Sequence, residues 1–183
     1  LVAPVKSFAV ARIPQNPLYD SFLLCFDDAK LSVVCVDHAE RNLKTISLHC
    51  FEDDILRDGY VKDLPTPLIR VDPGQRCAAM LVFGRYLAVL PFDDSPHLHT
   101  YTVPLTSFDT RLINILDMAF LDGYYEPTLI FLYEPSQTTA GRASVRYDTV
   151  CMLGVSLNVK EQVHASVWQL SSLPMDAAQI LPI

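Results

Sequence analysis

The chain has 183 residues, half of them hydrophobic and 19% charged, with a net charge of −7. That composition supports one packed domain and excludes a disordered tail. Its 14 basic residues are scattered singly, without the stripe that marks a free nucleic-acid binder, and apolar runs such as Cys77–Phe83 are far too short for a membrane helix.

Leu1–Val10 is strand-like, and it is broken by Pro4, Lys6 and Ser7 where a signal peptide would have an apolar core. The first residue is not Met, so the chain is expected to be cut from something larger. Ser21–Phe26 is rich enough in aromatic and aliphatic residues for a strand, and Asp27-Asp28-Ala29 makes a tight turn. Lys30–Val36 follows, apolar on both faces, as expected of a strand held between layers. Asp37–Asn42 is the next turn and Leu43–Leu48 the next strand. Phe51–Lys62 is the one stretch suited to a short helical turn, because Glu52, Asp53 and Asp54 complement a helix start.

The pattern then repeats. Leu68–Val71 is stopped by Asp72-Pro73-Gly74, Cys77–Phe83 ends at Gly84, Leu87–Phe92 runs to a turn at Asp93–His97, and Leu98–Val103 closes the group. A third group comprises Leu112–Leu121, Pro127–Tyr133, Arg142–Thr149 and Cys151–Asn158, and Ala165–Leu170 is expected to open a fourth. The 13 prolines fall almost entirely at turns or strand ends. Groups of four strands recurring roughly every 45 to 60 residues suit the blades of a β-propeller. A β-sandwich fits the strand count as well.

The five cysteines lie in apolar stretches with no C-x-x-C spacing, and N-x-S/T sequons are absent. Buried free thiols in a reducing compartment, cytosol or nucleus, follow. His97 and His99 share one side of an extended segment, but only Asp93 and Asp94 lie nearby, so a solvated loop is favoured over a metal site. The pairs Asp27-Asp28, Asp53-Asp54 and Asp93-Asp94 read as turn formers, because adjacent carboxylates on a strand point to opposite faces. Gly59, Gly74, Gly123 and Gly141 are placed in turns, where a positive φ favours glycine. G-x-G-x-x-G, P-loop, G-x-S-x-G and H-E-x-x-H motifs are absent, so no catalytic, metal or cofactor residue is assigned.

Arg70, Arg76 and Arg85 are the cations that folding could gather on one face. Gly123-Tyr124-Tyr125-Glu126-Pro127 is the most unusual string. It could be an aromatic recognition loop, but apolar flanking strands favour packing, with Tyr124 and Tyr125 plugging the gap between neighbouring blades, and Trp168 is assigned to the core rather than to a ligand.

Several strings in order carry a family resemblance: Asp28-Ala29-Lys30-Leu31-Ser32-Val33-Val34, Ile46-Ser47-Leu48-His49, Arg57-Asp58-Gly59-Tyr60 and Arg70-Val71-Asp72-Pro73. Arg76-Cys77-Ala78-Ala79-Met80-Leu81-Val82-Phe83-Gly84, Val89-Leu90-Pro91-Phe92, Phe120-Leu121-Asp122-Gly123-Tyr124-Tyr125-Glu126-Pro127-Thr128-Leu129 and Gly141-Arg142 complete the set. Across nearly the whole chain this resembles the N-terminal propeller of the largest subunits of the cleavage and polyadenylation specificity factor. That family is similar to the large subunit of damaged-DNA binding protein and to a splicing factor 3b subunit.

The resemblance implies an all-β fold, a partial β-propeller of four-stranded antiparallel blades, with residues 1–183 supplying about three blades and the start of a fourth. It also implies a nuclear, non-enzymatic scaffold with no cofactor and no membrane contact. Its partners would be the other subunits of the factor, a WD-repeat protein and a zinc-finger protein that read the AAUAAA signal, so pre-mRNA is met mainly through them. The segment between Pro91 and Leu112 is shorter than the family's usual loop, which leaves a partner contact there unsupported.

The family has no short catalytic motif to match, so no partner-binding residue is carried over. The loops Glu52–Lys62 and Asp93–Leu98 are the places to look for docking. The rival readings are a ubiquitin-ligase adaptor or spliceosome subunit of the same architecture and, from another class, a propeller hydrolase with a channel metal. Two further expectations are that the isolated segment is poorly soluble and that it does not recognise RNA. Phe22, Phe26, Phe83, Phe120 and Phe131 sit in apolar strands, and the net charge is negative.

Overall fold

The computed structural model describes residues 4–57, 67–136, 145 and 148–182. Among them, apolar runs bounded by Asp, Gly and Pro turns form twelve strands. These are β1 (Val5–Ala11), β2 (Ser21–Phe26), β3 (Lys30–Asp37), β4 (Asn42–Cys50), β5 (Ile69–Val71), β6 (Cys77–Val82), β7 (Tyr86–Pro91), β8 (Tyr101–Pro104), β9 (Ile115–Leu121), β10 (Thr128–Tyr133), β11 (Val150–Asn158) and β12 (Val163–Leu173). Helix among the described residues is confined to α1 (Asp54–Arg57) and a 3₁₀ turn at Leu105–Ser107. No described helix is long and apolar enough to cross a membrane.

The strands pair strictly with their sequence neighbours. They make three four-stranded sheets in the orders β1-β2-β3-β4, β5-β6-β7-β8 and β9-β10-β11-β12. Each is an antiparallel meander, the construction of a propeller blade. The all-β expectation and its four-strand unit are therefore met. The chain divides into two compact units, Leu1–Val103 with the first two sheets and Pro104–Ile183 with the third.

In the first unit, inward residues of the two sheets share one core. Leu23, Cys25, Leu31 and Val33 pack with Ile69, Ala78, Met80, Val82, Ala88 and Leu90. The inner strand β6 is buried along its whole length, and β7 at all but its end residues, as an apolar run on both faces demands. In the second unit β10 is the fully buried strand, while β12 is largely exposed.

Some expected boundaries are corrected. Ala165–Leu170 does not open a fourth group. It lies inside β12, the outer strand of the third sheet, paired from Asn158↔Val163 to Val150↔Leu173. The hairpin before it escaped notice because neither Gly nor Pro closes it. Asn158 Oδ1 accepts the Glu161 N–H at 3.0 Å, and Gln162 adopts φ +55°. The expected strand Arg142–Thr149 lies mostly outside the described residues, and its end, residues 148–149, is irregular. Leu98 precedes β8 as a buried loop residue, so that strand begins only at Tyr101.

Glycines hold two unlike roles. Gly84 (φ +67°) follows Phe83 (φ +48°) in the β6–β7 hairpin, where consecutive left-handed residues match the strand twist. Gly74 does not take the left-handed position expected of it, which falls to Gln75 at φ +53°. A Cβ on Gly74 would come within 2.9 Å of Arg76 Nε and 3.0 Å of Asp72 Oδ2, so glycine there makes room for an ion pair. Gly59 and Gly141 lie outside the described residues.

Candidate interaction surface

Of the turn acids expected to be structural, Asp27, Asp28 and Asp93 are so engaged through their carboxylates. Asp27 pairs with Lys6 at 2.9 Å, and Lys30 bridges Asp28 and Glu52, the latter at 2.9 Å. The Asp28 carboxylate and then that of Glu52 raise the Lys30 pKa. Asp93 Oδ1 accepts the Ser95 N–H at 3.1 Å, and Asp53 O accepts from Leu56 N at the start of α1. Asp37 is held low by the N–H groups of Glu40 and Ala39. Arg12 pairs with Asp20 and Arg111 with Asp109.

Two of the three arginines that could form a basic face are engaged within their own unit. Arg76 is committed to Asp72, whose carboxylate is fully buried, through Nε–Oδ2 at 2.6 Å and Nη2–Oδ1 at 2.9 Å. Arg70 donates to the Ile69 carbonyl at 3.0 Å. The phenylalanines are mostly withdrawn, with Phe26, Phe83, Phe120 and Phe131 buried and Phe22 half-buried.

His97 and His99 are both exposed, and the described residues hold no cluster of three or more metal-ligating side chains. What sequence reasoning missed is that His49 on β4 is brought to Thr100, beside His99. Burial, and then the neighbouring His99, lowers the His49 pKa. Its Nε2 lies 3.0 Å from Ser47 Oγ, and its Nδ1 lies 3.4 Å from Thr100 Oγ1. Nothing in the spacing signalled this, because His49 and Thr100 lie 51 residues apart.

The cysteines are all free, but two depart from expectation: Cys50 is exposed and Cys35 half-buried. Both lie near the outer side of the first sheet, where an apolar context in sequence does not ensure cover. Cys25 and Cys77 fit the buried reading, and burial pushes each thiol up to about 12. A cleft bounded by Pro135, Asp148, Thr149, Cys151, Ser171 and Ser172 has one carboxylate and no imidazole among its described lining residues.

Of the two loops expected to dock partners, residues 58–62 of the first lie outside the described residues. Its described part presents Ile55 to solvent on α1, while Arg57 lies 5.8 Å from the centre of the Phe83 ring. The second is tied down, since Gln15 Nε2 donates to the carbonyls of Asp93 at 3.2 Å and Ser95 at 2.7 Å.

The β9–β10 hairpin carries both tyrosines outside the core of their own unit. Tyr125 is 98% exposed and Tyr124 43% exposed, so neither ring is packed in the core of this unit. Gly123 takes φ +79°, and its N–H is held by Asp122 Oδ1 at 2.8 Å. On the other side Glu126 Oε2 accepts from Ser156 Oγ at 2.7 Å, and Pro127 O accepts from Leu157 N at 2.8 Å. Trp168 is also not core. It is half-buried on β12, lying over its cross-strand partner Gly154 so closely that a Cβ there would sit 2.6 Å from Trp168 Cε2.

No protein-family model matches the chain. Over its whole length it is 58% identical to a Caenorhabditis elegans protein named as cleavage and polyadenylation specificity factor subunit 1 and 54% identical to its Caenorhabditis briggsae namesake. A Drosophila melanogaster protein of that name is 42% identical over 90% of the chain. The chain spans 13% of the length of each of these relatives.

Proposed function

The chain belongs, as a segment, to the family of cleavage and polyadenylation specificity factor subunit 1, and we propose that it forms part of a propeller scaffold in nuclear pre-mRNA 3′-end processing. The observation that carries this is the 58% identity running through the entire chain. The scaffold role is non-enzymatic. It holds the subunits that read the AAUAAA signal close together, which raises their effective concentration at one RNA.

Two structural features support that reading. Four-stranded antiparallel meanders present broad sheet faces, as propeller blades do. Many of the cations are neutralised within their own unit: Lys6, Arg12, Lys30, Arg57, Arg76 and Arg111 all face carboxylates. A phosphate backbone therefore meets little unpaired positive charge on these elements, and a net charge of −7 opposes its approach.

Affinity purification of the tagged full-length protein from nuclear extract tests the assignment. Polyadenylation factors, including a WD-repeat and a zinc-finger subunit, are expected in stoichiometric amounts. Recovery of ubiquitin-ligase or spliceosome subunits in their place would assign the segment to a different scaffold.

A further inference from the structure

We propose that the outer edge of β12 accepts an extended, uncharged segment of a partner protein as a fifth, antiparallel strand of the third sheet. β12 is the longest described strand, at 11 residues, and it ends the order β9-β10-β11-β12. On one side it pairs with β11. From Ala165 onward no described strand meets its other side, so backbone N–H and C=O groups are offered outward there. Six described strands end the three sheets, and five of them carry a residue that discourages such pairing: Lys6 in β1, Lys44 in β4, Arg70 in β5, Pro104 in β8 and Asp117 in β9. Val163–Leu173 has neither a charged residue nor a proline.

The strand is held as a template. Ser166 Oγ donates to the Phe108 carbonyl at 3.2 Å, and the Gln169 amide accepts from Arg111 Nη2 at 3.0 Å and donates to Tyr133 Oη at 2.7 Å. Little ordering is left to be done on binding. Charge selects the occupant. Neither β11 nor β12 carries Asp, Glu, Lys or Arg, and the Arg111 that reaches Gln169 is paired with Asp109 at 2.8 Å. A charged side chain laid along this edge loses hydration and finds no counter-ion on either strand, so an uncharged segment is favoured over a basic or acidic one. Val167, 51% exposed, and Leu170, 49% exposed, suit aliphatic residues on the incoming strand. Main-chain hydrogen bonds then supply affinity and alternate side chains supply register. The pairing with β11 slips by a residue at Val167, which bends the edge, so the occupant is short, about five residues. This goes beyond the scaffold reading and does not rest on it, because the edge offers the same groups whichever assembly the chain serves.

The test uses the full-length subunit and a fluorescein-labelled heptapeptide of alternating serine and valine, followed by anisotropy. Its fully N-methylated counterpart keeps every side chain, lacks N–H donors and is expected not to bind. Val167→Lys/Leu170→Lys is expected to weaken peptide binding about fivefold, because edge lysines oppose strand addition. Val167→Thr/Leu170→Thr keeps strand propensity without charge and is expected to stay within about twofold of wild type. Leu18→Lys, at a leucine 80% exposed in the first unit, controls for added charge and is expected to leave the affinity unchanged.

Equal binding of the N-methylated peptide, or an unchanged dissociation constant in the lysine variant, would overturn the proposal. Hydrogen exchange of the wild-type subunit supplies a second measurement that needs no variant. The β12 amides that face away from β11 are expected to exchange fast in the free protein and to slow about tenfold with saturating peptide. Slow exchange there in the free monomer would mean that the protein's own chain covers the edge. A dimer dissociated by Val167→Lys/Leu170→Lys would mean that a second copy covers it. Either result overturns the proposal.

Discussion

The Asp72–Arg76 pair closes the β5–β6 turn on itself, and its two halves should not be equally costly to remove. Asp72 is fully buried, whereas about a third of the Arg76 side chain meets solvent, at 34%. Truncating Arg76→Ala strips both guanidinium hydrogen bonds, at 2.6 and 2.9 Å, from a carboxylate that water cannot reach. Leaving such a charge without its partner costs about 3 kcal/mol, the low end for broken buried pairs. Truncating Asp72→Ala instead leaves an arginine that can hydrate, at about 1 kcal/mol. Removing both should recover most of the loss, because the stranded charge is gone.

Hydrogen exchange of the β6 amides in the full-length protein reads these differences locally. Arg76→Ala is expected to accelerate exchange about a hundredfold, at tenfold per 1.4 kcal/mol. Asp72→Ala should accelerate it about fivefold, and the double variant by little more than that. The reasoning fails if Arg76→Ala changes exchange less than Asp72→Ala does, or if the double variant equals the sum of the singles.

Other expectations follow from single geometries. Gly154→Ala must displace Trp168, 2.6 Å from the new Cβ, and should destabilise the β11–β12 pairing by about 1–3 kcal/mol, seen as faster exchange confined to those strands. His49 has a folded pKa below its usual value, so the unfolded chain binds the proton more readily. Stability is therefore full above about pH 6.5 and declines as pH falls toward the folded value. Comparing β4 exchange at pH 7.5 and 5.5 should show a loss that His49→Gln abolishes. Phe8 and Leu48 lie on one face of the first sheet, linked across it by the pairs Phe8↔Leu24, Leu24↔Ser32 and Ser32↔Leu48, and both are more than half exposed. The isolated 183-residue segment is therefore expected to self-associate on gel filtration, and Phe8→Ser/Leu48→Ser to shift it toward the monomer.

The interior strands were legible because β3, β6 and β10 carry apolar residues on both faces and end at Asp, Gly or Pro. Outer elements were less so. β1 alternates weakly, and the hairpin into β12 turns on Asn158 and Gln162, residues that do not advertise a turn. Sequence also misjudged cover, as at Trp168 and Cys50. Their apolar neighbours are real, but whether a side chain on a loop or outer strand is buried depends on what packs over it. The His49–Thr100 contact and the Gly74 clearance for Asp72–Arg76 depend on three-dimensional placement that no local spacing encodes.

The most direct test of a scaffold that leaves RNA reading to its partners is a titration of the purified full-length subunit. It is measured without and then with its signal-reading partners, against RNA carrying AAUAAA and a scrambled control. The subunit by itself is expected to bind both RNAs weakly and equally, with discrimination appearing only when the partners are added. Sub-micromolar binding by the subunit by itself that distinguishes AAUAAA from the scrambled sequence would contradict the scaffold account.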